Sequence, residues 1–149
     1  MNIRKLFRRY KFKLMFILCA AFIIAVILAL FSVDNTTNNK NVSYITSNGW
    51  EVKTSPAEIA HIRLPEDFNS LYRTYNALAA ADGINLESYC GKNVTRYSYT
   101  VTNHTKSESA DVRANIYVYK SEIIAADISV LSPEGTTLPI KDTSGKKQP

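Results

Sequence analysis

Any chemistry in this chain of 149 residues would have to come from few parts: His61 and His104, Cys19 and Cys90, and the adjacent acids Glu66-Asp67. The two histidines fall one in a strand pattern and one in a turn. No H-x-E, C-x-x-C or H-x-x-x-H spacing accompanies them, so no metal site is expected. There is no G-x-S-x-G elbow, nothing beside Cys90 resembles an activating base, and five glycines do not make a phosphate-cradling loop. Glu66-Asp67 stands at the start of a helical pattern, where paired acids answer the helix dipole more often than they act as general acid and base. The expectation is therefore a chain with no catalytic residue, no metal and no cofactor, and not an enzyme.

The residues that point to contact are aromatic. Tyr97 and Tyr99 lie on one predicted strand and Tyr117 and Tyr119 on another, the latter pair beside Arg113 and Asn115. Tyrosine is an ordinary strand former and also a favoured interface residue. The plain reading is phenols packed under a helix or lining a wet sheet face. The sharper one is an interaction surface made of Arg113, Asn115, Tyr117 and Tyr119. Strand alternation sets these four opposite Val112, Ala114, Ile116 and Val118, and the aliphatic set is the better candidate for the face under a helix.

The element that positions everything is Leu14 to Val33, twenty residues without a charge, a proline or a glycine. At about 1.5 Å per residue a helix of that length matches the hydrocarbon thickness of a bilayer. Residues 1–13 form a basic tail carrying six of the eighteen Lys and Arg and no acid. Such a tail stays on the cytoplasmic side, which puts the C-terminal part outside. A cleaved signal peptide has a shorter apolar region and small residues before the cut, whereas Leu30-Phe31-Ser32-Val33 is bulky, so an uncleaved signal anchor is expected. Residues 34–149 hold twelve cations and thirteen acids, a net charge of −1, so composition excludes a basic nucleic-acid-binding surface. With Cys19 in the membrane helix and Cys90 outside, no intramolecular disulfide is expected, and the outer domain must hold by its core.

Residues 34–40 (DNTTNNK) read as a polar spacer, and an exported domain follows over 41–132. A short helix should stop at Asn48-Gly49, with Trp50 to Lys53 a half-buried strand. A second extended piece over 57–64 has Ile59 out of parity with Ile62 and Leu64, which suggests a bulge. Phe68, Leu71, Tyr72, Tyr75, Leu78 and Ala79 fall at helical spacing and predict an amphipathic helix between Glu66 and Gly83. Residues 94–103, 111–119 and 123–131 alternate or are β-rich, with Lys120-Ser121 short enough for a tight hairpin. The expected fold is α+β: an N-terminal transmembrane helix, then an amphipathic helix packed on an antiparallel sheet of three to four strands. Residues 133–149 read as a disordered tail.

The ordered motifs Gly49-Trp50-Glu51-Val52, Ile62-Arg63-Leu64-Pro65-Glu66-Asp67-Phe68, Tyr72-Arg73-Thr74-Tyr75-Asn76, Tyr89-Cys90-Gly91-Lys92, Arg96-Tyr97-Ser98-Tyr99 and Val112-Arg113-Ala114-Asn115 resemble the bacterial domain-of-unknown-function family 4830 over roughly residues 40–130. The resemblance implies a bacterial protein with one membrane helix and a small exported domain, and implies no activity. The sequence departs from the family pattern at Cys90, where a Lys or Arg is expected, and at Ala125-Ala126-Asp127, which replaces a Gly-Gly-Asp-like run. Three functions are compatible with these features: a membrane-anchored domain for non-catalytic binding, sensing or interaction, an envelope enzyme with a site not recognisable from sequence, and a structural accessory subunit of a membrane complex. The bilayer is the expected partner, with an envelope protein beside it and no nucleic acid.

Overall fold

In a computed structural model the chain is described over residues 3–67, 76, 85–133 and 135–147, without the side chains of 3–9 and 29–34. It divides into two units, Met1–Thr37 and Asn38–Pro149. Helix α1 runs Ile3–Ser47. In the first unit its stretch Tyr10–Leu28 has mean hydropathy 2.4, long and apolar enough to cross a membrane as an anchor or a signal sequence.

The second unit begins with the last turns of α1 and carries a five-stranded antiparallel meander: β1 (Glu58–Arg63), β2 (Asn93–Thr100), β3 (Asp111–Tyr119), β4 (Glu122–Leu131) and β5 (Thr137–Pro139). A 3₁₀ turn, Leu86–Tyr89, precedes β2. The end of α1 follows from its sequence. Gly49, at φ +84, donates to the Thr46 carbonyl, and the Trp50 amide reaches the Ile45 carbonyl. These two bonds satisfy carbonyls that a helix end would otherwise strand, and Ile45 and Trp50 complete the motif by packing together in the core.

One face of the sheet carries Tyr99 from β2, Val112, Ala114 and Ile116 from β3, and Ile128 from β4, all buried against Ile45, Trp50 and Ile140. The opposite face holds a smaller apolar cluster of Leu64, Leu86, Val94, Ile124 and Ala125 at one end, with Tyr117 and Tyr119 packed beside it. A break in register makes that second cluster possible. Tyr117 pairs with Ala125 while Val118 pairs with Ile123, so Ile124 has no residue opposite. This bulge turns Ile123 toward the first face and Ile124 and Ala125 toward the second. The β3–β4 hairpin turns through Lys120 and Ser121, both at positive φ, as a two-residue turn between twisted strands requires.

The α+β class is as the sequence indicates, but the sheet has five strands rather than three to four. The addition is β5, three residues too short for an alternating pattern to be legible, paired to Asp127, Ile128 and Ser129. It lies in the segment expected as a tail. Just beyond it Ile140 is fully buried and its carbonyl accepts the Trp50 indole N–H at 2.7 Å. The expected spacer, 34–40, is helical. Its polar side chains serve tertiary bonds: Asn38 Nδ2 donates to the Thr54 carbonyl, the Tyr99 hydroxyl donates to Asn38 Oδ1, and Lys40 pairs with Glu122. Tertiary contact thus overrides weak helix propensity. β1 is unbulged, in continuous register with β2 from Glu58 to Arg63. As an edge strand it leaves Ile59 exposed, so no bulge is needed to bury it. The predicted amphipathic stripe of Phe68, Leu71, Tyr72, Tyr75, Leu78 and Ala79 lies outside the described residues. Among the described residues, the aliphatic face expected under that stripe is packed by the end of α1 and by Trp50 and Ile140.

Candidate functional site

Beyond the apolar cluster, the second face of the sheet is polar, and the register explains why. Glu58 pairs with Ser98, Ser98 with Asn115, and Asn115 with Asp127, which sets one polar row across four adjacent strands. Since side chains alternate, the residues two places away share this face. Arg96 and Tyr117 therefore flank the row on one side, and Arg113, Ser129 and Thr137 on the other. Together they form a trough of about 550 Å³ whose far rim is made by Val130, Leu131 and Ser132.

Its floor is a closed hydrogen-bond network. Ser98 Oγ donates to Asn115 Oδ1 at 2.7 Å, and Asn115 Nδ2 donates to Asp127 Oδ1 at 2.7 Å. Ser129 Oγ donates to the same carboxylate oxygen at 2.7 Å and lies 3.2 Å from Thr137 Oγ1. The Tyr117 hydroxyl also bonds Asp127. Asp127 is 4 % exposed and Asn115 9 %. Burial pushes the Asp127 carboxyl above its ordinary value, against the opposing pull of the bonds from Ser129, Asn115 and Tyr117 and of the Arg96 charge. No side chain makes a direct ion pair with Asp127 among the described residues.

Two half-buried arginines stand over this floor. Arg96 donates to Glu58 at 2.8 Å and Arg113 to Asp111. Both Nε atoms are buried, with no hydrogen-bond partner among the described residues. Each guanidinium is thus held at one corner, and the terminal nitrogens keep further N–H groups without a partner among the described residues.

Of the four residues singled out in the sequence, the structure brings Arg113, Asn115 and Tyr117 to the trough. Asn115 forms its buried floor rather than an open surface. Tyr119 is elsewhere, with its ring 5.6 Å from that of Tyr89 in an edge-on contact and Lys120 Nζ above it. Tyr97 packs beside the first-face core and Tyr99 is fully buried there. Arg96, Ser98, Asp127, Ser129 and Thr137 were missed. Alternation alone places Arg96 and Ser98 opposite Tyr97 and Tyr99, but nothing in the sequence aligns β2 with β3 and β4. His61 is exposed on β1 with Nδ1 3.1 Å from Thr95 Oγ1, and His104 is buried on the other side of the unit, stacked on Trp50. Among the described residues no group of three or more His, Cys, Asp or Glu is arranged to hold a metal.

The fold and this site define a class: an α+β domain on a five-stranded antiparallel meander, preceded by an apolar helix able to cross a membrane. Residues 44–128 match the family described as a domain of unknown function, DUF4830, and the chain belongs to it. The match runs from the last turn of α1 into β4. It takes in Arg96, Ser98, Arg113, Asn115 and Asp127, and stops short of Ser129 and β5. No curated protein and no solved structure matches the chain.

Proposed function

We propose that this is a bacterial single-pass membrane protein with its N-terminus in the cytoplasm, and that its extracytoplasmic domain acts by non-catalytic binding through the trough on the second sheet face. The observation that carries the binding role is the pair Arg96 and Arg113. Both are half-buried over a polar floor, and each is tied through one terminal nitrogen, with further terminal N–H groups that have no partner among the described residues. Donors held in place at a concave site are what a ligand's acceptors require. The basic tail ahead of Leu14 supports the orientation, since Lys and Arg beside a membrane helix are retained on the cytoplasmic side.

Two measurements test this reading. Protease added to intact spheroplasts should remove the chain beyond Val33 and spare the N-terminal tail, and protection of the C-terminal part would refute the orientation. Native mass spectrometry of the full chain released from its own membranes should detect a bound species that Arg113→Gln no longer retains. Identical spectra for both proteins would refute a binding role for the trough.

A further inference from the structure

Resting on that reading of the trough, we infer that its ligand is a small organic monocarboxylate with an apolar portion. Hydrogen-bond supply comes first. The floor's acceptors are already engaged, because Asn115 Oδ1 takes the Ser98 hydroxyl and Asp127 Oδ1 takes both Asn115 and Ser129. The guanidiniums of Arg96 and Arg113 are each tied by one carboxylate, and among the described residues their terminal nitrogens have N–H donors to spare. A site with its acceptors engaged and its donors free selects an acceptor, and the planar guanidinium fork matches the two oxygens of a carboxylate.

Charge then limits the ligand to one negative group. Glu58 and Asp111 balance the two arginines, and Asp127 lies beneath the trough floor. A doubly charged phosphate would meet that carboxylate set without a surplus of cations, whereas a single carboxylate can take the place of one existing counter-ion. Glu58 is the one to yield: its side chain is 57 % exposed and free to turn into water when a ligand oxygen takes the Arg96 edge. Finally, Leu131, exposed on the rim, gives an apolar body something to lie against.

The experiment uses the full chain in detergent micelles, titrated by ligand-observed NMR with 4-methylpentanoate, with its uncharged amide and with inorganic phosphate. Saturable binding of the carboxylate is expected, at least tenfold tighter than that of the amide or of phosphate. Arg113→Gln and Arg96→Gln should each weaken it about tenfold or more. Glu58→Gln should tighten it severalfold by removing the competing counter-ion, a gain that damage to the fold cannot produce. Trp50 fluorescence verifies that each variant is folded. If the amide or phosphate binds as tightly as the carboxylate, the ligand class is wrong while binding through the trough stands. Absence of saturable carboxylate binding, or loss of affinity in Glu58→Gln, overturns the inference.

Discussion

Replacing Asp127 separates the energetic roles of the trough floor. Its carboxylate accepts from Asn115 Nδ2 and Ser129 Oγ, each at 2.7 Å, and from the Tyr117 hydroxyl. Asp127→Ala leaves the buried Asn115 amide with only the 3.3 Å contact to Ser129. A stranded buried donor costs about 1–3 kcal/mol, and at about 4–8 °C per kcal/mol for a domain of this size the melting temperature should fall clearly. Asp127→Asn retains the accepting oxygen and the shape but never ionises. The sign of the pH effect follows from burial. The folded-state pKa is raised, so as pH climbs past the ordinary carboxylate range the unfolded chain releases a proton that the folded chain still holds. Wild-type stability should therefore fall with rising pH until the folded group has also ionised, and Asp127→Asn should lack that decline. The assay is urea titration at pH values from 4 to 8, followed by the single tryptophan, Trp50, which is 1 % exposed. Asp127→Asn should match wild type within about 1 kcal/mol in acid and gain on it toward pH 8. Equal losses for Asn and Ala at every pH, or no loss for Ala, would refute the floor described above.

His104 should impose the opposite trend: buried against Trp50, with Nδ1 accepting the Lys106 amide, its pKa is lowered by burial and by the Lys106 charge. Its contribution is present above about pH 6.5 and lost as pH falls below it, so His104→Gln should flatten the acid side of the stability profile measured on the same tryptophan. At Gly145 an added Cβ would lie 2.3 Å from His104 Nε2, so Gly145→Ala should cost about 1–3 kcal/mol in urea titration, whereas an arm not docked there would tolerate it. Tyr99→Phe removes the hydroxyl that donates to Asn38 and accepts from buried Asn41, and should cost about 1–3 kcal/mol by the same measurement.

What the sequence discloses follows the range of each interaction. The stop at Gly49, the tight turn at Lys120-Ser121 and the opposed faces of β3 are local, set by one left-handed glycine, by loop length and by a period of two. These could be read directly. β5 could not, because three residues carry no period and their place is decided by pairing with Asp127, Ile128 and Ser129. The helical character of residues 34–40 was hidden for a related reason: Asn38 is a poor helix residue until Tyr99, 61 positions away, supplies its bond. The trough was legible only in part. Arg113 and Asn115 stand out beside their tyrosines, but their association with Arg96, Ser98 and Asp127 depends on strand register, which the bulge at Ile124 also shifts. Tyr119 illustrates the converse, since it has the right composition and the right face yet packs against Tyr89 instead of the trough.

A photo-cross-linker placed at the trough tests the binding role and the orientation together. Benzoylphenylalanine at Leu131, exposed on the trough rim, is compared in intact cells with the same group at Ile59, exposed on the outer strand β1. Illumination should give a covalent adduct at Leu131 and none at Ile59, and a membrane-impermeant monocarboxylate added outside the cells should suppress it. Equal adducts at both positions, or an adduct at Leu131 that the external competitor leaves unchanged, would contradict an extracytoplasmic domain that binds through this trough.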